Sequence, residues 1–236
     1  MVHGSVATHT DWMRVAKLLA NRYTCFAIDR RGRGKSGVGN SSYSIEREYE
    51  DIEAVLAAAG PGAVLAGHSF GAVCSLGVAL RNRLPKLILY EPTLTFGGLV
   101  AGAPLADYAR AIAANDPDGA MEIGLREFIR IDPEAIQTIR VSRAWPKLRS
   151  LARSWTRELQ AMDDLQLKPE AYSAIDYPTL LIEGDQSPQH PMRNSVQILA
   201  RVMPQARMET IAGHGHMALR EVPETAARLI AAFLAE

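Results

Sequence analysis

A chain of 236 residues, 47% of them hydrophobic, is long enough for one large domain or for a core domain carrying an insertion. Its 26 basic and 26 acidic side chains cancel, which leaves no electrostatic basis for nucleic acid or an anionic membrane as the main partner. No apolar run approaches the roughly 20 residues that cross a bilayer.

The N-terminal stretch MVHGSVATHT has neither the basic segment nor the apolar run of a secretory signal, so a cytoplasmic location is expected. Cys25 and Cys74 both lie in apolar segments, where two reduced, buried thiols are expected; with no further ligand nearby, neither suggests a metal site.

In chain order, DWMRVAKLLANR (11–22) puts Trp12, Val15, Leu18 and Leu19 on one helical face. YTCFAID (23–29) is apolar, aromatic and β-branched, and reads as a buried parallel strand. SIEREYEDIEAVLAAAG (44–60) is an amphipathic helix, with Ser44 suited to the N-cap and Gly60–Pro61 ending it. AVLAG (63–67) reads as a strand, FGAVCSLGVALRNR (70–83) as an apolar helix and KLILYE (86–91) as a strand. PTLLIEG (178–184) and ARMETI (206–211) are two further strands, and ETAARLIAAFLAE (224–236) is a closing helix. Alternating helices and near-continuous apolar strands predict an α/β fold, a mostly parallel sheet flanked by helices on both faces.

Residues 92–177 break this rhythm. PLADYARAIAAN, GAMEIGLREFIRI, PEAIQTIRVSRAW and PKLRSLARSWTRELQAM read as four amphipathic helices punctuated by prolines. The expected organisation is a core of residues 1–91 and 178–236 with an inserted helical cap over 92–177. Most of the cap aromatics, such as Trp145 and Trp155, are expected to pack the lid on the core.

The most informative stretch is Gly67-His68-Ser69-Phe70-Gly71, a G-x-S-x-G motif between a strand and a helix. A side chain at 67 or 71 would collide with so sharp a turn, and Ser69 would present its hydroxyl above the sheet in a strained backbone conformation. The helix starting at Phe70 offers free N–H groups to an oxyanion. A serine nucleophile needs a base. His214 and His216 follow the last strand, and loops at the C-terminal ends of parallel strands are where such sheets gather their sites. His216 is the preferred base and His214 the alternative. His68 adjoins the nucleophile in sequence, so its side chain is expected to point elsewhere.

RGRGKSG contains a literal G-x-G-x-x-G after a strand and the GKS ending of a phosphate loop. The phosphate loop would need glycine at position 29, which is Asp29, and no helix starts at the last glycine. A tight, Arg-rich turn is expected instead, with Asp29 and Arg30 tying neighbouring loops together by hydrogen bonds.

VHGS with Trp12 downstream, DRRGRGKSG, GHSFG, LYEP and GHGHMA stand in this order along the chain. Together they resemble the α/β-hydrolase superfamily over the whole length. The resemblance implies a serine–histidine–acid triad under a helical cap, with the oxyanion hole supplied by the backbone N–H groups of Ser5 and Phe70. Proteins of this kind carry a hairpin and most of a strand before the His-Gly pair, whereas only Met1 and Val2 precede His3 here. The expectation is a native chain that extends upstream of Met1, since a missing central strand would leave unpaired backbone groups.

The triad acid is where the chain departs from the pattern. In the resembling family it usually follows the strand at 178–184, and the count from Gly184 falls on or near Ser187. Asp185 is displaced from that position by about two residues. Glu91, at the end of LILYE, matches an arrangement seen in some relatives, among them certain haloalkane dehalogenases. Glu91 is therefore the first choice and Asp185 the second, with a turn cap as the bland role of Asp185.

The expected activity is hydrolysis of small carboxylic esters or lactones through an acyl-enzyme, with a small-molecule substrate and no metal or organic cofactor. C–C bond hydrolysis and cofactor-free perhydrolysis stay open on the same triad, as does a receptor-like binder with little turnover. A homodimer is compatible with the sequence.

Overall fold

The computed structural model describes residues 1–39, 42–165 and 168–236. Four strands form one sheet: β1 (Leu65–His68), β2 (Leu87–Tyr90), β3 (Thr179–Gly184) and β4 (Ala206–Ile211). They lie in sequence order and every neighbouring pair is parallel. Parallel neighbours require crossovers, and helices supply them. The helices of the described residues are α1 (Met13–Leu19), α2 (Ile45–Ala59), α3 (Phe70–Arg81), α4 (Pro104–Ala113), α5 (Pro117–Ile123), α6 (Pro133–Arg140), α7 (Trp145–Asp164), α8 (Asn194–Val202), α9 (Ala218–Glu221) and α10 (Pro223–Leu234); of these, α3 joins β1 to β2, α4–α7 lie between β2 and β3, and α8 joins β3 to β4.

Strand alternation assigns the side chains to two cores. Leu65, Leu87, Leu89 and Leu181 point to one face, where they join α2, α3, α8 and the helices α4–α7. Ala66, Ile88, Tyr90, Leu180 and Ile182 point to the other, against Trp12, α1 and α10. With both faces covered, near-continuous apolar strands are the expected solution. The α/β-hydrolase arrangement expected from the sequence is the one observed, with a parallel sheet flanked by helices on both sides.

Between β2 and β3 the chain leaves the sheet for α4–α7. Tyr108, Phe128 and Trp155 form a buried aromatic cluster there, with centroids 5.5–5.8 Å apart and Trp155 edge-to-face with the other two rings. The helix expected over 119–131 changes its winding part-way along. The α-helix α5 ends at Ile123 and a π turn runs over Gly124–Phe128. Gly124, where the π turn begins, must be small because the Trp155 ring occupies the place of a side chain: a Cβ on it would lie 2.4 Å from the indole.

Other expectations need correction. Residues 23–29 do not form a regular strand; only Ile28 makes a bridge, to Val2. Their sheet partner here is Met1 and Val2. Val2 lies between Ile28 and Gly67, the Met1 ammonium donates to Phe26 O, and the Val2 N–H donates to Ala66 O at 2.7 Å. Residues 23–26 and 63–66 flank a cleft of about 610 Å3 at the end of the sheet remote from Ser69. Cys25 borders this cleft and is half-buried, so only Cys74 is the buried thiol expected; both are free. Helix α8 was not anticipated, although the alternation required a crossover between β3 and β4. Ser44 stands at the start of α2, but its side chain makes no capping hydrogen bond. No helix among the described residues is long and apolar enough to cross a membrane.

Leu181 is fully buried at the centre of the sheet, whereas Met208 on β4 is 43% exposed. Leu181→Ala should cost about 3 kcal/mol of unfolding free energy, and Met208→Ala less than about 0.5 kcal/mol. Urea denaturation of the two variants checks this contrast.

Candidate active site

The C-terminal ends of the strands converge on one rim. Ser69 follows β1, Glu91 follows β2, Asp185 follows β3, and the 212–217 loop follows β4. Ser69 has φ 54° and ψ −126°, a backbone conformation that a side chain other than glycine's adopts at a cost. The turn is held by close packing. A Cβ on Gly67 would lie 2.6 Å from Gly71 O, and one on Gly71 would lie 2.4 Å from the carbonyl oxygens of Val2 and His3. Both glycines are thus dictated by space, as the motif implied.

The His3–Gly4 segment sits directly on this turn. A Cβ on Gly4 would lie 3.4 Å from Ser69 Oγ. Next to it, the Ser5 hydroxyl is buried with no partner among the described residues. The Phe70 N–H is the first of α3 and has no helical acceptor, like every first-turn donor. Two backbone donors therefore lie in the segments that border Ser69.

The Nδ1–H of His216 donates to Glu91 Oε2 at 2.6 Å, and both groups are buried. That bond fixes the tautomer and leaves Nε2 as the bare, basic nitrogen. Glu91 is itself held tightly. Its φ is 43°, its N–H donates to Ile182 O at 3.0 Å, and its Oε1 accepts the Gly184 N–H at 2.7 Å. Gly184 also lets the histidine loop come close, since a Cβ on it would lie 2.4 Å from His214 O. Ser69 Oγ makes no hydrogen bond with the imidazole among the described residues; such contacts often tighten only when substrate binds.

Asp185, the second candidate, points elsewhere. Its Oδ1 accepts the Gly213 N–H at 2.8 Å and a Gln186 side-chain N–H at 3.0 Å, the turn-capping role of a short carboxylate. Ser187 is buried beside the histidine loop, with its Oγ lacking a partner among the described residues. His214 faces outward and pairs with Glu221 at 3.0 Å. Asp29 and Arg30 do tie loops together: Asp29 accepts from His9 and Lys35, and Arg30 donates to the carbonyls of His3 and Gly4.

The place of His68 is set by tertiary packing. Its ring is buried, stacks 5.1 Å from Tyr90 and lies 4.5 Å from the His216 ring. Its Nε2 is 3.0 Å from the His216 carbonyl oxygen. A carbonyl can only accept, so His68 carries its proton on Nε2. Tyr90 donates to the neighbouring Gly215 carbonyl. The histidine loop is thus clamped from the β1 and β2 side. The available signal was the motif itself, which puts a histidine at the end of a strand whose residues are all buried.

Among the described residues no cluster of His, Cys, Asp and Glu is arranged to hold a metal ion. A model of the alpha/beta hydrolase family matches residues 1–229. The chain belongs to the alpha/beta hydrolase family. A solved alpha/beta hydrolase from Sphaerobacter thermophilus is similar over 99% of this chain and 90% of its own, with 27% identity and a TM-score of 0.88. The enol-lactonase of Burkholderia xenovorans shares the fold at 16% identity, with a TM-score of 0.77 over 100% of this chain and 90% of its own. The uncharacterized hydrolase YraK of Bacillus subtilis is 33% identical over 99 residues, which is 40% of this chain and 36% of that protein. The matched segment therefore spans little more than a third of this curated relative.

Burial holds the His68 pKa well below its usual value, and the neighbouring His216 lowers it further. Burial does the same to His3, reinforced by Arg30. Unfolded histidines take up a proton near pH 6.5, while these two stay neutral when folded. Their contribution to stability is therefore complete above pH 6.5 and is lost as pH falls below it. The Tm should decline from pH 6.5 to 5, and His68→Phe should decline less steeply over that range. Equal slopes in thermal melts of the two proteins would remove His68 from this account.

Proposed function

We propose that this protein is a serine hydrolase of small carboxylic esters or lactones. In this reading Ser69 is the nucleophile, His216 the general base and Glu91 the third member of the triad. Ser5 and Phe70 supply the oxyanion hole through their N–H groups. Residues 92–177 serve as a cap on the core of residues 1–91 and 178–236. The observation that carries the reading is the buried 2.6 Å contact between His216 Nδ1 and the Glu91 carboxylate, on the rim that also holds the strained Ser69.

Each part has a defined task. The bare Nε2 of His216 takes the proton from Ser69 Oγ as the oxygen attacks the substrate carbonyl. The tetrahedral oxyanion accepts hydrogen bonds from the Ser5 and Phe70 amides. Protonated His216, stabilised by the Glu91 carboxylate, then gives its proton to the leaving alkoxide. Water, deprotonated by the same nitrogen, attacks the acyl-Ser69 ester; as the acyl–Oγ bond breaks, His216 returns the proton to Ser69 Oγ and the acid is released. Every proton in this sequence moves through His216 Nε2, and the backbone donors only stabilise the oxyanion.

Glu91 is favoured over Asp185 as the acid because the Asp185 carboxylate is taken up by the Gly213 amide. A fluorophosphonate probe should label wild type and leave Ser69→Ala unlabelled. With a p-nitrophenyl ester, Glu91→Gln should lower kcat by about 10^3 to 10^4-fold, because the amide no longer fixes the reactive tautomer or stabilises the imidazolium. Asp185→Asn should stay within about threefold of wild type. Unlabelled wild-type protein would point to a receptor-like binder instead, and a larger loss in Asp185→Asn would move the acid to that position.

A further inference from the structure

The DRRGRG turn has a use that a loop tie does not explain. Arg30 is 1% exposed, yet its guanidinium has a partner in every direction. Nε donates to His3 O at 2.9 Å, and Nη2 donates to Gly4 O at 3.0 Å and to Glu158 Oε1 at 2.8 Å. Nη1 donates to Glu48 Oε1 at 2.8 Å. The backbone N–H of Arg30 donates to His3 Nε2 at 3.1 Å, while His3 Nδ1–H donates to Gly4 O at 2.8 Å. The guanidinium carbon lies 4.8 Å from the centre of the Phe70 ring, within cation–π range.

These contacts fall on both segments that carry the proposed oxyanion donors. The Gly4–Ser5 peptide is planar and trans, so its carbonyl oxygen and the Ser5 N–H point in opposite directions. Anchoring Gly4 O on Arg30 therefore aims the Ser5 N–H away from Arg30. The same cation packs on the side chain of Phe70, whose amide is the other donor.

Arg30 is in turn held from helix α7, in the block inserted between β2 and β3. Glu158 on α7 accepts from both Arg30 and Arg33, the latter at 2.6 Å. Burial works against the Arg30 cation, but Glu158 and Glu48 outweigh it and raise its pKa. Near its other end α7 reaches the same N-terminal loop a second time, where Lys147 Nζ donates to Thr8 Oγ1 at 3.1 Å and Thr10 Oγ1 at 2.8 Å.

We infer that Arg30 is a positioning residue that aims the oxyanion donors, and that Glu158 makes this aim depend on how α7 is seated over the core. The inference rests on the serine-hydrolase reading above. It gives the inserted helices a part in turnover: any displacement of α7 would reach the Gly4–Ser5 peptide through one side chain.

The test compares an aryl ester with its thionoester counterpart, in which sulfur replaces the carbonyl oxygen. A well-aimed pair of N–H donors favours the smaller oxygen, so the oxo-over-thiono ratio of kcat/KM reads their alignment. In Arg30→Lys and Glu158→Gln, kcat for the oxo ester should fall by about 10-fold or more with KM within about threefold, and the ratio should shrink. The double variant Arg33→Met/Glu158→Gln removes one cation and one anion and leaves the Arg30–Glu48 pair, so it keeps the buried charge balanced if the single variants fold poorly. It should show the same smaller ratio. An unchanged ratio in folded variants, with activity falling only in proportion to the folded fraction, would overturn the inference and leave the hydrolase reading standing. Wild type inert to both the ester and a fluorophosphonate would overturn both.

Discussion

The contact on which the site depends is the bond between His216 Nδ1 and the Glu91 carboxylate. It joins the loop after β4 to the end of β2 across the intervening strand β3. It needs a left-handed residue at 91, a glycine at 184 and a histidine loop that can pass close over that glycine. Each requirement is met by a main-chain feature rather than by a flexible side chain. A carboxylate this deeply buried is tolerable only because its two oxygens are both engaged, one by the imidazole and one by the Gly184 amide.

A second constraint runs through the N-terminal loop. His3, Gly4 and Arg30 form a closed set of hydrogen bonds around the Gly4 carbonyl, while Gly71 gives way to the carbonyls of Val2 and His3. The strained turn at Ser69 thus has rigid backbone on one side and the clamped histidine loop on the other. Backbone strain persists only where its surroundings over-determine it. The inserted helices reach the same set through Glu158, so core and insertion share one buried charge cluster.

The departure at Ser187 follows from the same geometry. The loop after β3 does not need a carboxylate for His216 because the end of β2 already supplies one. Asp185 is then available to cap the Gly213 turn, which shapes the histidine loop without touching the imidazole. The two acids that the sequence left in competition therefore serve the same loop in different ways.

The local features of this protein were legible in its sequence. Apolar runs marked β2 and β3, amphipathic periodicity marked most helices, and the spacing of two glycines around Ser69 marked the turn. These properties are set by neighbours along the chain, where side-chain size and backbone freedom act directly. Partnership across the sheet was not legible. Residues 23–29 have the composition of a strand, but the ladder they form depends on what lies beside them, and here that is Val2. Whether Glu91 or Asp185 reaches His216 depended on the register of β2, β3 and β4, a tertiary quantity that no count along the chain contains. The roles of His68 and Arg30 were hidden for the same reason: one side chain bonds a carbonyl 148 residues away and the other a carboxylate 128 residues away, and only packing brings them together.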